Sequence, residues 1–90
     1  MNNLVKRGLL TYKIHFQKPL LIIKGSKGIM ACKYIDISTA NKAGDAVCLF
    51  SNVNNFDDML ESNVVECSKG AEDLGIKNGM KGKDVVKIIE

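Results

Sequence analysis

Four consecutive aliphatic side chains, Leu20, Leu21, Ile22 and Ile23, follow the only proline of the chain and constrain its fold more than any other feature. Pro19 cannot donate to a sheet ladder, which places it at a break or at the first position of a strand. Side chains alternate along the strand that follows, so two large aliphatics point to each face of the sheet and both faces need cover. A chain of 90 residues has little material to shield a second face once its own core is built. Another copy of the chain is the simplest cover, because exposed apolar patches mark interaction sites and soluble oligomers are mostly symmetric. Leu20, Leu21, Ile22 and Ile23 are therefore expected at an oligomer interface.

The flanking segments also read as extended. In LLTYKIHF, residues 9–16, Leu10, Tyr12, Ile14 and Phe16 share one face and Thr11, Lys13 and His15 the other, the pattern of a half-buried strand. GSKG at 25–28 supplies turn glycines, and GIMACKYIDI at 28–37 resumes extended, completing an antiparallel β meander. From Ser38 the pattern changes. Ser38 or Thr39 can cap a short helix through Ala40 and Ala43, stopped by Gly44. AVCLF at 46–50 reads as a strand buried on both faces. Asn54 or Asn55 can cap FDDMLES, where Phe56, Met59 and Leu60 fall at helical spacing. NVVECS offers a further strand, and Ser68 can cap a helix to Leu74. Gly75, Asn78, Gly79 and Gly82 connect to a last helix with Val85, Ile88 and Ile89 on one stripe. Lys81 is a poor residue at the positive end of a helix dipole, so that helix start should fray. The expected class is α+β: an N-terminal antiparallel β meander, then alternating short helices and strands, ending in two helices. One domain spans 1–90, with 1–8 as a flexible tail.

Composition bounds the function classes. No apolar run approaches the roughly 20 residues a spanning helix needs, and Lys6 and Arg7 interrupt the stretch a signal peptide would keep apolar. A cytoplasmic location is expected. Cys32, Cys48 and Cys67 are odd in number, lack CxxC spacing and are accompanied by one histidine, His15; neither a structural zinc nor a disulfide framework is expected. No cofactor motif is present. Net charge is +3 but polarised, with +7 before Asp36, −5 over residues 36–68 and +1 thereafter. The lysines are dispersed along strands and the chain has no Trp, which makes nucleic acid an unfavoured partner.

Three stretches together resemble the YunC-like family, an archaeal and bacterial domain of unknown function: GIMACKYIDI at 28–37, NFDDML at 55–60 and AEDLGIKNGMKGKDVV at 71–86. The resemblance spans roughly residues 10 to 89, and its most specific part falls on Leu74, Gly75, Ile76, Gly79, Met80, Lys81 and Gly82. Lys81 departs from a small polar position, and Lys33 from a glycine common in relatives. What the resemblance implies is assembly, as tetramers through a β-rich amino-terminal region, with no activity attached.

Candidate sites follow from residue chemistry. Cys32 matches a recurrent cysteine of that family and neighbours Lys33, a cation that favours thiolate where both face one cavity; it is the candidate catalytic residue of a thiol enzyme with a site between subunits. Set against that, adjacent strand residues point oppositely, and His15 is not on an expected neighbouring strand. A buried apolar thiol explains Cys32 without chemistry. Lys24, which flanks GSKG, and Lys27 within it are, with Lys33, candidate anion ligands, although GSKG lacks P-loop spacing and precedes a strand. The loop from Gly79 to Gly82 opens a helix and is a further anion candidate. Asp57, Asp58 and Glu61 suit the first turns of a helix and need no catalytic role.

Overall fold

The computed structural model describes residues 4, 5 and 7–90. Its strands β1 (Leu10–His15), β2 (Pro19–Lys24), β3 (Ile29–Cys32), β4 (Val47–Phe50) and β5 (Glu66–Cys67) form one sheet in chain order. The first three make the antiparallel meander, with Tyr12 opposite Ile22 and Ile22 opposite Ala31. β4 then runs parallel to β3, and β5 antiparallel to β4. A parallel step needs a crossover, which helix α1 (Ile37–Ala43) supplies. Helices α2 (Phe56–Glu61), α3 (Lys69–Asp73) and α4 (Gly82–Ile89) complete the α+β architecture, the last two in succession at its end.

Helices α1, α2 and α3 each start where a side chain satisfies free backbone N–H groups. Asn55 accepts from the Asp58 amide at 2.7 Å while the Asp58 carboxylate accepts from the Asn54 amide at 3.1 Å, a reciprocal cap. At α1 the cap is Asp36, not Ser38 or Thr39. Its carboxylate takes the Ser38 amide and both hydroxyls, so Ile37 is already helical. A charged acceptor at the positive end of the dipole outcompetes the hydroxyls beside it. Gly44, at φ 81°, closes the helix in the left-handed region as expected. α4 has no side-chain cap at Lys81. Instead the Gly82 amide donates to the Ser62 carbonyl at 2.8 Å, anchoring the start that charge alone would fray.

The core lies on one face of the sheet, where Leu21, Ile23, Met30, Cys48 and Phe50 meet Phe56, Met59, Ala71, Ile76, Val85, Val86 and Ile89. Close packing there explains two glycines. A Cβ on Gly82 would strike the Met59 carbonyl, so α4 crosses α2 nearly backbone to backbone. A Cβ on Gly25 would strike the Ile89 carbonyl. Neither glycine of GSKG has a positive φ; the turn is glycine-rich partly because the end of α4 docks on it, with Lys27 donating to the Ile89 carbonyl at 2.9 Å. On the other face α1 covers Ala31, Val47 and Leu49 through Ile37 and Ala40.

Of the tail expected over 1–8, residues 1–3 and 6 lie outside the described residues. Leu4 is buried in the main core, and Arg7 makes a two-pronged ion pair with Glu90 at 2.6 and 2.8 Å.

Candidate functional site

Two features of the surface are unspent by folding. The first is the face of β1. Leu10, Tyr12, Ile14 and Phe16 do share one side of the strand, but it is the solvent side: they are 52%, 46%, 50% and 59% exposed. Strand pairing puts Leu20 opposite Ile14 and Ile22 opposite Tyr12, both half-buried, so the apolar surface continues onto β2. α1 covers β3 and β4, Ile22 packs at the margin of that cluster, and the side chains of β1 stay exposed. By contrast Leu21 and Ile23 are fully buried inside the protomer, and only Leu20 and Ile22 of the four expected interface residues offer surface to a partner. The physical reason is the alternation itself: the side that carries Leu21 and Ile23 is the one α4 packs over. β1 is also the end strand of the sheet, so among the described residues its outer backbone edge has no partner strand.

The second feature is a cleft of about 400 Å³ lined by Lys18, Pro19, Cys32, Lys33, Tyr34, Phe50, Ser51, Asn52 and Val53. It opens where β3 ends at Cys32 and β4 ends at Phe50. Sites of α/β proteins concentrate beyond the carboxyl ends of parallel strands, because the loops that leave them diverge around the crossover. Tyr34 forms part of the rim. Its hydroxyl donates to the Lys18 carbonyl at 3.2 Å, and its ring lies 5.4 Å from that of Phe16, joining the cleft to the apolar face of β1. Asn52 stands at φ 58°, the left-handed region that Asn tolerates best after Gly.

Cys32 and Lys33 thus come together at one cleft, but the thiol is 6% exposed and points to the Pro19 carbonyl at 3.8 Å, while the Lys33 ammonium sits 4.0 Å from Glu66. Among the described residues no His, Asp or Glu lines the cleft, and β2 stands between Cys32 and the strand that carries His15, a separation of roughly 10 Å. The cleft therefore has cations and apolar walls but no base to activate a thiol. Lys24 and Lys27 lie at the opposite end of β3, in a hollow of about 170 Å³ with Asp45. Gly79 and Gly82 lie away from both, and their amides are already committed, to the Val64 and Ser62 carbonyls at 2.7 and 2.8 Å. Cys48 faces Cys67 across β4 and β5; burial pushes the Cys48 thiol up to about 12, with Cys67 adding to it, and raises the Cys67 thiol as well. Both shifts disfavour the thiolate that a nucleophile needs. Among the described residues no three His, Cys, Asp or Glu side chains cluster as metal ligands would.

Sequence reasoning missed Lys18, Tyr34, Ser51 and Asn52. The last two lie in SNVNN at 51–55, a polar stretch between AVCLF and FDDMLES whose only sequence signal is its turn-forming composition.

Comparison with known proteins gives a family and a fold relative. The family described as a domain of unknown function, DUF1805, matches residues 31–89. A crystal structure titled a protein of unknown function, TA1206, from Thermoplasma acidophilum superposes with a TM-score of 0.80 at 33% identity, covering 91% of this chain and 93% of that one. No curated protein matches. Neither finding carries an activity, and the match over most of the chain makes it a member of the DUF1805 family of unknown function.

Proposed function

We propose that this chain is a homo-oligomeric cytoplasmic domain with a structural or ligand-binding role, assembled as a tetramer through β1 and β2. The observation that carries the reading is the exposed stripe of Leu10, Tyr12, Ile14 and Phe16 on an unpaired edge strand. Four large apolar side chains, each about half exposed and continuous with Leu20 and Ile22, form the kind of patch that soluble proteins cover with a partner. An open, six-residue edge adds a template for strand pairing. A second copy presents the same patch and the same open edge, and one two-fold axis through the patch with another through the edge closes a tetramer. The YunC-like resemblance of residues 28–37, 55–60 and 71–86 supports the same reading, since four-fold assembly through the β-rich region is what that family implies.

Nucleic acid is not the proposed partner. Of the lysines before Asp36, Lys18 and Lys33 line the cleft at one end of β3 while Lys24 and Lys27 line the hollow at the other, a division that does not favour one basic track. Light scattering coupled to gel filtration tests the assembly: a tetramer of 9.9 kDa chains elutes with a mass of about 40 kDa, and a stable monomer at micromolar concentration refutes it.

A further inference from the structure

We infer that the cleft at the ends of β3 and β4 binds a small organic anion with a flat, ring-bearing body, held by its charged head between Lys18 and Lys33. The lining residues all belong to one protomer, and the cleft meets the β1 face at Tyr34 beside Phe16, so binding is read on the native assembly.

Charge is the first argument. Among the described residues two ammonium groups line the cleft and no carboxylate does. Lys18 has no ion-pair partner among the described residues, and Lys33 has only the exposed contact to Glu66 at 4.0 Å, a surface pair weak enough to yield to a ligand. Backbone donors are the second. Asn52 and Val53 lie outside the strands, and their amides donate to no other group among the described residues. The left-handed turn at Asn52 is the element from which anion-holding arrays of N–H groups are built.

The walls decide the rest of the ligand. Pro19, Phe50 and Val53 are apolar, and the Tyr34 ring, 52% exposed, borders the opening. A half-exposed aromatic beside an apolar floor suits a planar body by stacking. A volume of about 400 Å³ is at the lower end of small-molecule sites, which fits one ring system with a charged substituent and not a dinucleotide. Carboxylate and phosphate heads meet the lysines with the same chemistry.

The test uses isosteric probes on the full chain in its native assembly. 2-Naphthoate, 2-naphthyl phosphate and the uncharged 2-naphthamide are titrated while backbone amide resonances are followed by NMR. At least one of the two anions should bind roughly ten-fold or more tightly than the amide, with shifts concentrated at Lys33, Tyr34, Asn52 and Val53. The stronger of the two names the head group. In Lys18→Met/Lys33→Met, whose side chains are exposed, that preference should vanish while the weak amide binding stays. Equal affinity of anions and amide, absence of binding, shifts centred on residues 24–28, or a double variant of unchanged dispersion that keeps the preference each overturn the inference.

Discussion

Ser68→Ala should be the most damaging single-atom change in the fold. Ser68 is completely buried, and its hydroxyl uses all it has: it donates to the Asp45 carbonyl at 2.7 Å and accepts from the Val47 amide at 2.9 Å and the Ala71 amide at 3.3 Å. One oxygen thereby caps α3 and ties it to the start of β4. Alanine removes the cap, worth about 1 kcal/mol. It also leaves the buried Val47 N–H without a partner, which costs about 2 kcal/mol. The sum, about 3 kcal/mol, is a large share of the roughly 5–13 kcal/mol expected for a domain of this length. Urea unfolding followed by circular dichroism reads it directly, at one fixed protein concentration because assembly is linked to stability. With m of about 1.5 kcal/mol/M the midpoint falls by roughly 2 M. A loss below about 1 kcal/mol at unchanged m refutes the reasoning.

Three further outcomes follow from the geometry. Gly82→Ala should destabilise by about 2 kcal/mol or more, because the new Cβ meets the Met59 backbone and not a yielding side chain; wild-type stability would show that α2 and α4 can separate freely. Cys48 should resist iodoacetamide in the native protein and react only on unfolding, since burial holds its thiol near 12; native-state labelling at the rate of a free thiol contradicts its placement. Asp36 should titrate below the ordinary 3.8, chiefly because the Ser38 hydroxyl and amide and the Thr39 hydroxyl stabilise its charged form. A depressed folded pKa means the cap's contribution is present above the unfolded value and lost as pH falls through the folded one. Carboxyl NMR should therefore give a midpoint under 3.8 and fraying of α1 only in acid beneath it; a midpoint at or above 3.8 excludes the cap.

Much of this architecture was legible because it rests on local chemistry. Pro19 opening a strand, Gly44 closing α1, Asn55 and Ser68 capping their helices, and the apolar alternation of residues 10–16 are all decided within a few residues. What was illegible depended on which face of each element the rest of the chain reaches. The alternation in β1 reads the same whether its apolar side meets a core or solvent, and only the position of α1 over β3 and β4 settles that it meets solvent. Leu21 and Ile23 turn inward for the same reason, under α4. The cleft is more remote still from sequence. Lys18, Lys33 and Asn52 become neighbours through the meander and the parallel step together, and no spacing along the chain announces that juxtaposition. The glycines of GSKG and Gly82 were visible as glycines, but their use as contact points for α4 depends on packing.

The claim that the β1 face is an assembly surface is tested most directly by the solution mass of Ile14→Lys. Ile14 is 50% exposed, so covering it contributes about 1 kcal/mol per copy and about 2 kcal/mol per two-fold contact. Burying two unpaired ammonium groups adds several kcal/mol more against assembly. Together these weaken association by roughly a thousand-fold or more. At micromolar concentration the wild-type chain should scatter as a tetramer of about 40 kDa and Ile14→Lys as a smaller species, of no more than two 9.9 kDa chains, with an unchanged circular dichroism spectrum. A wild-type monomer, or a folded Ile14→Lys of wild-type mass, contradicts the account.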